Sequence, residues 1–289
     1  MAHNPLFDMM KQFSLFFLFL CSGLAAQVPQ PALPRDYAHR KPIDTVNYQV
    51  VYSCRIRRVL HTESYSSDMQ VLEIGNRYTR YYSRDAELSD SLFKYAKPFY
   101  GLGSNASGVR EPDYEDIYFD YPKKGTVSVY NRYMKKNFLY MEDRVKPVWR
   151  LIPSESVEIL GYTCFKAETK FRGRTWYAWF APDIPLNAGP WKLSGLPGLI
   201  LKAEDADAYF TYEAVGMVQD KGTQMMMYDE KSQKCRREDI LVLNDLRWKD
   251  DAFLLKTMNG TEVISFDPES LSFKTKEADA VVIPQKEIE

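Results

Sequence analysis

Histidine, cysteine, methionine and lysine are the residues of this chain whose types and spacing bear on chemistry. Of the three histidines, His3 and His39 lie in N-terminal stretches with little that could pack, so a Ser-His-Asp or two-histidine metal site would need His61. No GxSxG or HExxH motif accompanies it, and those spacings are what place a nucleophile on a tight elbow or two imidazoles on one helix face. With 39 acidic residues some carboxylates will face a cleft by chance, so an acid–base pair is left open. Cys54, Cys164 and Cys235 are spaced by 110 and 71 residues, which fits neither a zinc ribbon nor a CxxC redox pair. Met225, Met226 and Met227, with Met217, offer soft thioether ligands, but consecutive residues on a strand point to opposite faces. No catalytic residue, metal site or cofactor is assigned from these patterns.

Lys192 stands beside a glycine-rich stretch, Gly195-Leu196-Pro197-Gly198. Pro197 has its φ fixed near −65° and a glycine supplies positive φ, so Leu-Pro-Gly reads as a type II turn with Gly198 at φ > 0. On that reading the stretch is a fold-setting corner. The alternative is an anion nest, in which backbone N–H groups around Gly195 and Gly198 act with Lys192. Glycine turns far outnumber nests, and the corner is the expectation carried forward. Trp191, Trp176 and Trp179 are read first as packing aromatics and second as a ligand platform.

The elements that must position these residues are mainly strands. Val46, Tyr48, Val50, Tyr52, Cys54 and Ile56 alternate with polar residues from Val46 to Ile56, the period of a strand with one buried face. Further strands are expected at 70–74, 77–82, 126–133, 138–142 and 156–160. A helix is expected at 85–97 from Leu88, Leu92, Tyr95 and Ala96. Phe165, Ala167, Thr169 and Phe171 alternate against Lys166, Glu168 and Lys170, and TWYAWF at 175–180 continues them after a turn at Gly173, which is a hairpin signal. Strands at 199–203 and 209–215 and a helical segment near 236–258 complete the chain. The 20 Tyr and 16 Phe suit pleated, half-buried surfaces. The fold class is mainly β (α+β), an antiparallel curved sheet or half-barrel with peripheral helices. Alternation places Cys54 on an apolar face and Cys164 on a polar one, so the two are not expected to be bonded to each other. Cys164 is then free or paired with Cys235, and Cys54 behaves as a small hydrophobe.

The N-terminus reads as an export signal. Lys11 precedes the apolar run FSLFFLFLC at 13–21 and the small residues Ser22, Gly23, Ala25 and Ala26, the order of a cleavable signal peptide. The run is shorter than the roughly 20 residues of a membrane span. Cleavage is expected near Ala25 or Ala26. Leu20 stands where a lipobox carries a small residue, so lipidation of Cys21 is not expected. Residues 1–26 are thus the signal peptide, 27–42 a proline-rich extended leader, and 43–289 one β-rich domain in the periplasm or outside the cell. A net charge of −1 on 27% charged residues gives no electrostatic case for nucleic acid. The sequons at Asn105 and Asn259 are read as exposed turns.

Gly161-Tyr162-x-Cys164, FRGR at 171–174 with Gly173, WYAWF at 176–180 with Trp179, PDIP at 182–185 with Pro182 and Pro185, GPWK at 189–192 with Gly189, Pro190, Trp191 and Lys192, and GLPGLI at 195–200 together resemble the GLPGLI family of exported bacterial proteins. The resemblance spans about Leu160 to Asp205 and implies export from a Gram-negative cell. It implies no activity and no site residues. The function expected is an exported cell-envelope binding or accessory protein, with an apolar or lipid-like ligand held by the curved sheet. A carboxylate-dependent envelope hydrolase and a structural component of a surface complex stand as alternatives. The partner is a lipid-like molecule or an envelope protein.

Overall fold

The structure, a computed structural model, describes residues 39–57, 65–95, 115–133, 136–220, 222–228, 231–249 and 286–287. His61, both sequons and the signal segment lie outside the described residues.

Alternation at residues 46–56 does what it predicts. Strand β1 (Arg40–Arg57) buries Val46, Val50, Tyr52 and Cys54 on one face. It pairs antiparallel with β2 (Tyr65–Gly75), with β11 (Phe210–Gln219), and through its first residues with β12 (Gln224–Tyr228). From β2 the sheet continues through β3 (Thr79–Ser83), β4 (Glu115–Phe119), β5 (Thr126–Tyr133) and β6 (Lys136–Asp143) to the short parallel β13 (Gln233–Lys234). From β11 it runs through β10 (Leu199–Asp205), β9 (Arg174–Ala181) and β8 (Tyr162–Phe171) to the edge strand β7 (Arg150–Ile159). Among the described residues this is one large, open, curved, mostly antiparallel sheet, with two short helices.

Tight turns at two hairpins explain the sharp reversals on the β7 side. Leu160 and Gly161 have φ of 53° and 80°, and Arg172 and Gly173 have φ of 53° and 77°. Two successive positive φ values are the I′ pattern that matches strand twist. Ile159 then faces Tyr162, and Phe171 faces Arg174.

Buried side chains from β1 to β6 and from β8 to β11 belong to one hydrophobic cluster. Into it project Ile184, Trp191, Leu193 and Leu196 from the 182–198 loop and Ile240 and Leu243 from helix α2 (Arg237–Lys249). Helix α1 (Arg84–Tyr95) starts with Ser83, whose hydroxyl accepts from the Ala86 N–H at 3.0 Å, and carries Asp85 and Glu87 in its first turn, a favourable arrangement for the exposed amides there.

Four expectations are corrected. The leader does not stop short of the sheet, because Arg40, Lys41 and Pro42 already pair with β12. The helix at 84–95 does not bury Leu88, which is 53% exposed; it buries Ala86 and Asp90, and Asp90 accepts from Tyr228 at 3.1 Å and pairs with Arg132 at 2.5 Å. Cys164 is fully buried rather than on a polar face. The burial order along β8 is Cys164, Ala167, Thr169, Phe171, with Phe165 and Lys166 both half-buried. That break in phase lies where β7 slips, with Ile152 opposite Lys166 but Ser156 opposite Phe165, an irregularity that bends the strand pair. No disulfide joins Cys54, Cys164 and Cys235, as expected for the pair Cys54 and Cys164. The fourth concerns Gly198, in the motif loop, where φ is not positive.

Candidate functional site

The loop from Pro182 to Gly198 carries the motif residues, and its backbone is tied to the strands on either side. Leu199 N–H donates to Ile184 O and Ile200 N–H to Ala188 O, both at 3.0 Å. Trp149 Nε1 donates to Ser194 O at 2.8 Å. Gly189 and Gly198 are needed for close approach. A Cβ on Gly198 would lie 2.2 Å from Ala181 O, and one on Gly189 2.8 Å from Leu193 O. The positive φ in this stretch is at Gly195 (103°) and Trp191 (51°), not at Gly198, so the type II expectation with Gly198 at φ > 0 is wrong. Contact with the β9 end, rather than handedness, makes Gly198 a glycine. The Gly195 N–H, one of the donors an anion nest would use, is taken by Asn187 Oδ1 at 2.7 Å.

The remaining motif residues fall into separate places. Gly161 and Gly173 sit in the two hairpin turns, and Tyr162 and Cys164 open β8. Pro182, Pro185 and Pro197 are exposed, and Pro190 is buried. Trp191 is buried against Trp176, with ring centres 5.5 Å apart, and against Phe171 at 6.0 Å. Trp179 is half-buried on the other face of β9 between the ammonium groups of Lys202 and Lys166, 5.1 and 5.4 Å from its ring centre. Met225 and Met227 are buried on β12 with Met226 between them on the other side, and among the described residues no group of His, Cys, Asp and Glu is placed to hold a metal.

Lys192 is where chemistry concentrates. The positive φ of Trp191 turns the chain so that Trp191 enters the apolar cluster and Lys192 reaches toward β6. Lys192 is 4% exposed, and its ammonium lies 2.8 Å from Glu142 Oε1 and donates to Tyr140 Oη at 3.0 Å and to Glu287. Glu142 also binds Arg172 at 2.7 Å. Glu287 is bound in addition by Arg237 at the start of α2, and its neighbour Lys286 pairs with Glu115 at 3.3 Å. The centre thus gathers Lys192, Arg172 and Arg237 around Glu142 and Glu287. Burial pushes the Glu287 carboxyl up, but Lys192 and Arg237 outweigh it and hold it below the usual carboxylate value. Burial, with the nearby Glu115, Glu287 and Glu142, pushes the Tyr140 hydroxyl well above its ordinary value, so it stays a neutral hydrogen-bonding group. Beside the centre, Arg172, Lys192, Arg144 and Ser194 line a recess with room for roughly one water molecule.

Sequence reasoning found Lys192 through its motif and missed Glu142, Arg172, Arg237, Tyr140 and Glu287. These lie on distant elements, and an isolated Glu or Arg in a charged background carries no local signal. A second buried charge centre, also missed, surrounds Arg80, with Asp116 at 3.4 Å, Glu87 at 3.5 Å and Glu73 at 3.9 Å.

Residues 169–202 match a family model described as a protein of unknown function (Porph_ging). The match runs from the end of β8 through β9 and the loop to the start of β10, so it contains Trp191, Lys192 and Gly198. No curated protein matches the chain. Two solved structures of PNGF-II, in P21 and C2 space groups, are similar at 16% identity and a TM-score of 0.47; each likeness covers 71% of this chain and 33% of the PNGF-II chain. The chain therefore spans about a third of the length of those structures.

Proposed function

We propose that this chain is an exported cell-envelope protein of the GLPGLI type that works as an accessory or structural partner of another envelope protein, not as a carrier of an apolar molecule. The observation that carries the reading is the filled inner face of the sheet. Trp191, Leu193 and Leu196 from the motif loop, each 1% exposed, and Ile240 and Leu243 from α2 occupy the space that a lipid-binding half-barrel keeps for its ligand. The motif at 189–200 and the family match over 169–202 support the GLPGLI assignment. The export-signal pattern of residues 1–26 supports work outside the cytoplasm.

The hydrolase reading finds less support at this centre. Glu142 and Glu287 are each committed to cations, and Glu287 is held below the carboxylate range. A general acid for glycoside or ester chemistry needs the opposite shift, toward neutrality, which burial gives elsewhere to Glu73 and Asp205, each beside an arginine.

Native mass spectrometry of the protein purified from its own host's envelope tests the proposal. The expected species has a mass matching a chain that starts near Ala26 or Gln27, with no retained lipid. A stoichiometric lipid, covalent at Cys21 or bound noncovalently, overturns it.

A further inference from the structure

We infer that Lys192 and Arg237 form a carboxylate-binding site, and that the side chain of Glu287 is its resident ligand, supplied in cis. The ligand class is a carboxylate presented on a peptide segment. The inference does not depend on the envelope role proposed above.

Charge and hydrogen bonding both point this way. Without Glu287, Lys192, Arg172 and Arg237 are left with Glu142 as the carboxylate they contact, while the nearby Glu115 is paired with Lys286. An uncompensated buried charge is costly and selects an anion to neutralise it. Arg237 Nη2 and Arg172 Nε are buried atoms with no hydrogen-bond partner among the described residues, so the guanidinium groups keep donor capacity. Glu287 is received as a ligand is. It is 5% exposed, lies 95 residues from Lys192 and 50 from Arg237 in sequence, and takes one oxygen to each cation. Lys192 and Arg237 come from two different elements, the motif loop and the first turn of α2. The two-oxygen geometry suits a carboxylate better than a spherical ion.

Vacating the site in the full-length chain tests this. Glu287→Ala removes the carboxylate and leaves space, whereas Glu287→Gln removes the charge and keeps the side chain in place. Melting temperature is measured in increasing sodium acetate against sodium chloride and sodium sulfate at matched ionic strength. The expected result is that Glu287→Ala melts several degrees below wild type and that acetate restores at least half of the loss with saturation. Wild type, Glu287→Gln and the double variant Lys192→Met with Glu287→Ala should show no acetate effect beyond chloride. Four results overturn the inference: Glu287→Ala melts like wild type, acetate restores it no more than chloride does, acetate acts equally on the Lys192→Met double variant, or sulfate restores Glu287→Ala as well as acetate does. The last result would indicate a general anion site.

Discussion

Gly198 shows how a motif residue can be necessary for a reason its sequence does not display. The Leu-Pro-Gly order suggests positive φ, but the backbone there is ordinary, and the Cβ would meet Ala181 O at 2.2 Å and Ala181 C at 2.7 Å. A handedness requirement penalises a large residue more than alanine, while a backbone collision is incurred by the first carbon. Gly198→Ala should therefore already cost about 1–3 kcal/mol, most of what Gly198→Val costs, as read from urea midpoints; a neutral Gly198→Ala would show that the two backbones part easily. Glu287 supports a second prediction at this scale. Its folded-state carboxyl is depressed below the ordinary 4.5, so the stability it adds is present above that value and is lost as pH falls through the folded-state value. The stability gap between wild type and Glu287→Gln should be full at pH 7 and close progressively in acid below about 4.5. A gap that stays constant down to pH 2 would mean that Glu287 acts by shape alone. Lys192 itself was legible from its motif. Its partners were not, because a centre assembled from β6, the loop, α2 and residue 287 leaves no spacing for a single sequence to reveal.

At the level of elements, legibility followed periodicity. Residues 126–133 form a strand with the expected bounds, and the β8–β9 hairpin turns at Gly173 as its alternation predicts. Elements without alternation were missed. Strand β4, EDIYF, buries four of its five residues on both faces, and β12, QMMMY, has no β-branched residue to mark it. Phase was the other failure. Cys164 is buried because β7 slips opposite Phe165 and Lys166, and a one-residue change of phase exchanges the faces of a strand. In helix α1, one residue of the apolar spacing, Leu88, does not mark the buried face. Asp90 is buried by its ion pair with Arg132 and its bond from Tyr228, while Leu88 remains exposed; pairing lets a charge go where composition would place a leucine. The edge strand β7 is exposed along nearly its whole length and carries Pro153, Glu155 and Glu158. A proline, charges and an irregular register are features that discourage edge-to-edge pairing.

For the whole molecule, the decisive relation is between the motif loop and the sheet. Trp191 touches Phe171 and Trp176, Trp176 touches Phe210 and Tyr212, and Tyr52 on β1 donates to Ile200 O on β10 at 2.8 Å. The loop is thereby joined through β9 and β11 to the strand that binds the two halves of the sheet. If it is core, removing its largest side chain destabilises everything together. Trp191→Ala, by lost burial and the cavity left behind, should cost about 3–5 kcal/mol. Far-UV circular dichroism and the fluorescence of the remaining tryptophans, Trp176 among them, should shift to lower urea by the same amount, as one cooperative transition requires. Should fluorescence shift while the sheet signal keeps its midpoint, the loop would be a cover that opens without unfolding the sheet. The inner face would then be accessible after all, and the apolar-ligand reading would regain its footing, because a detachable loop can yield its place to a ligand and a cooperative core cannot.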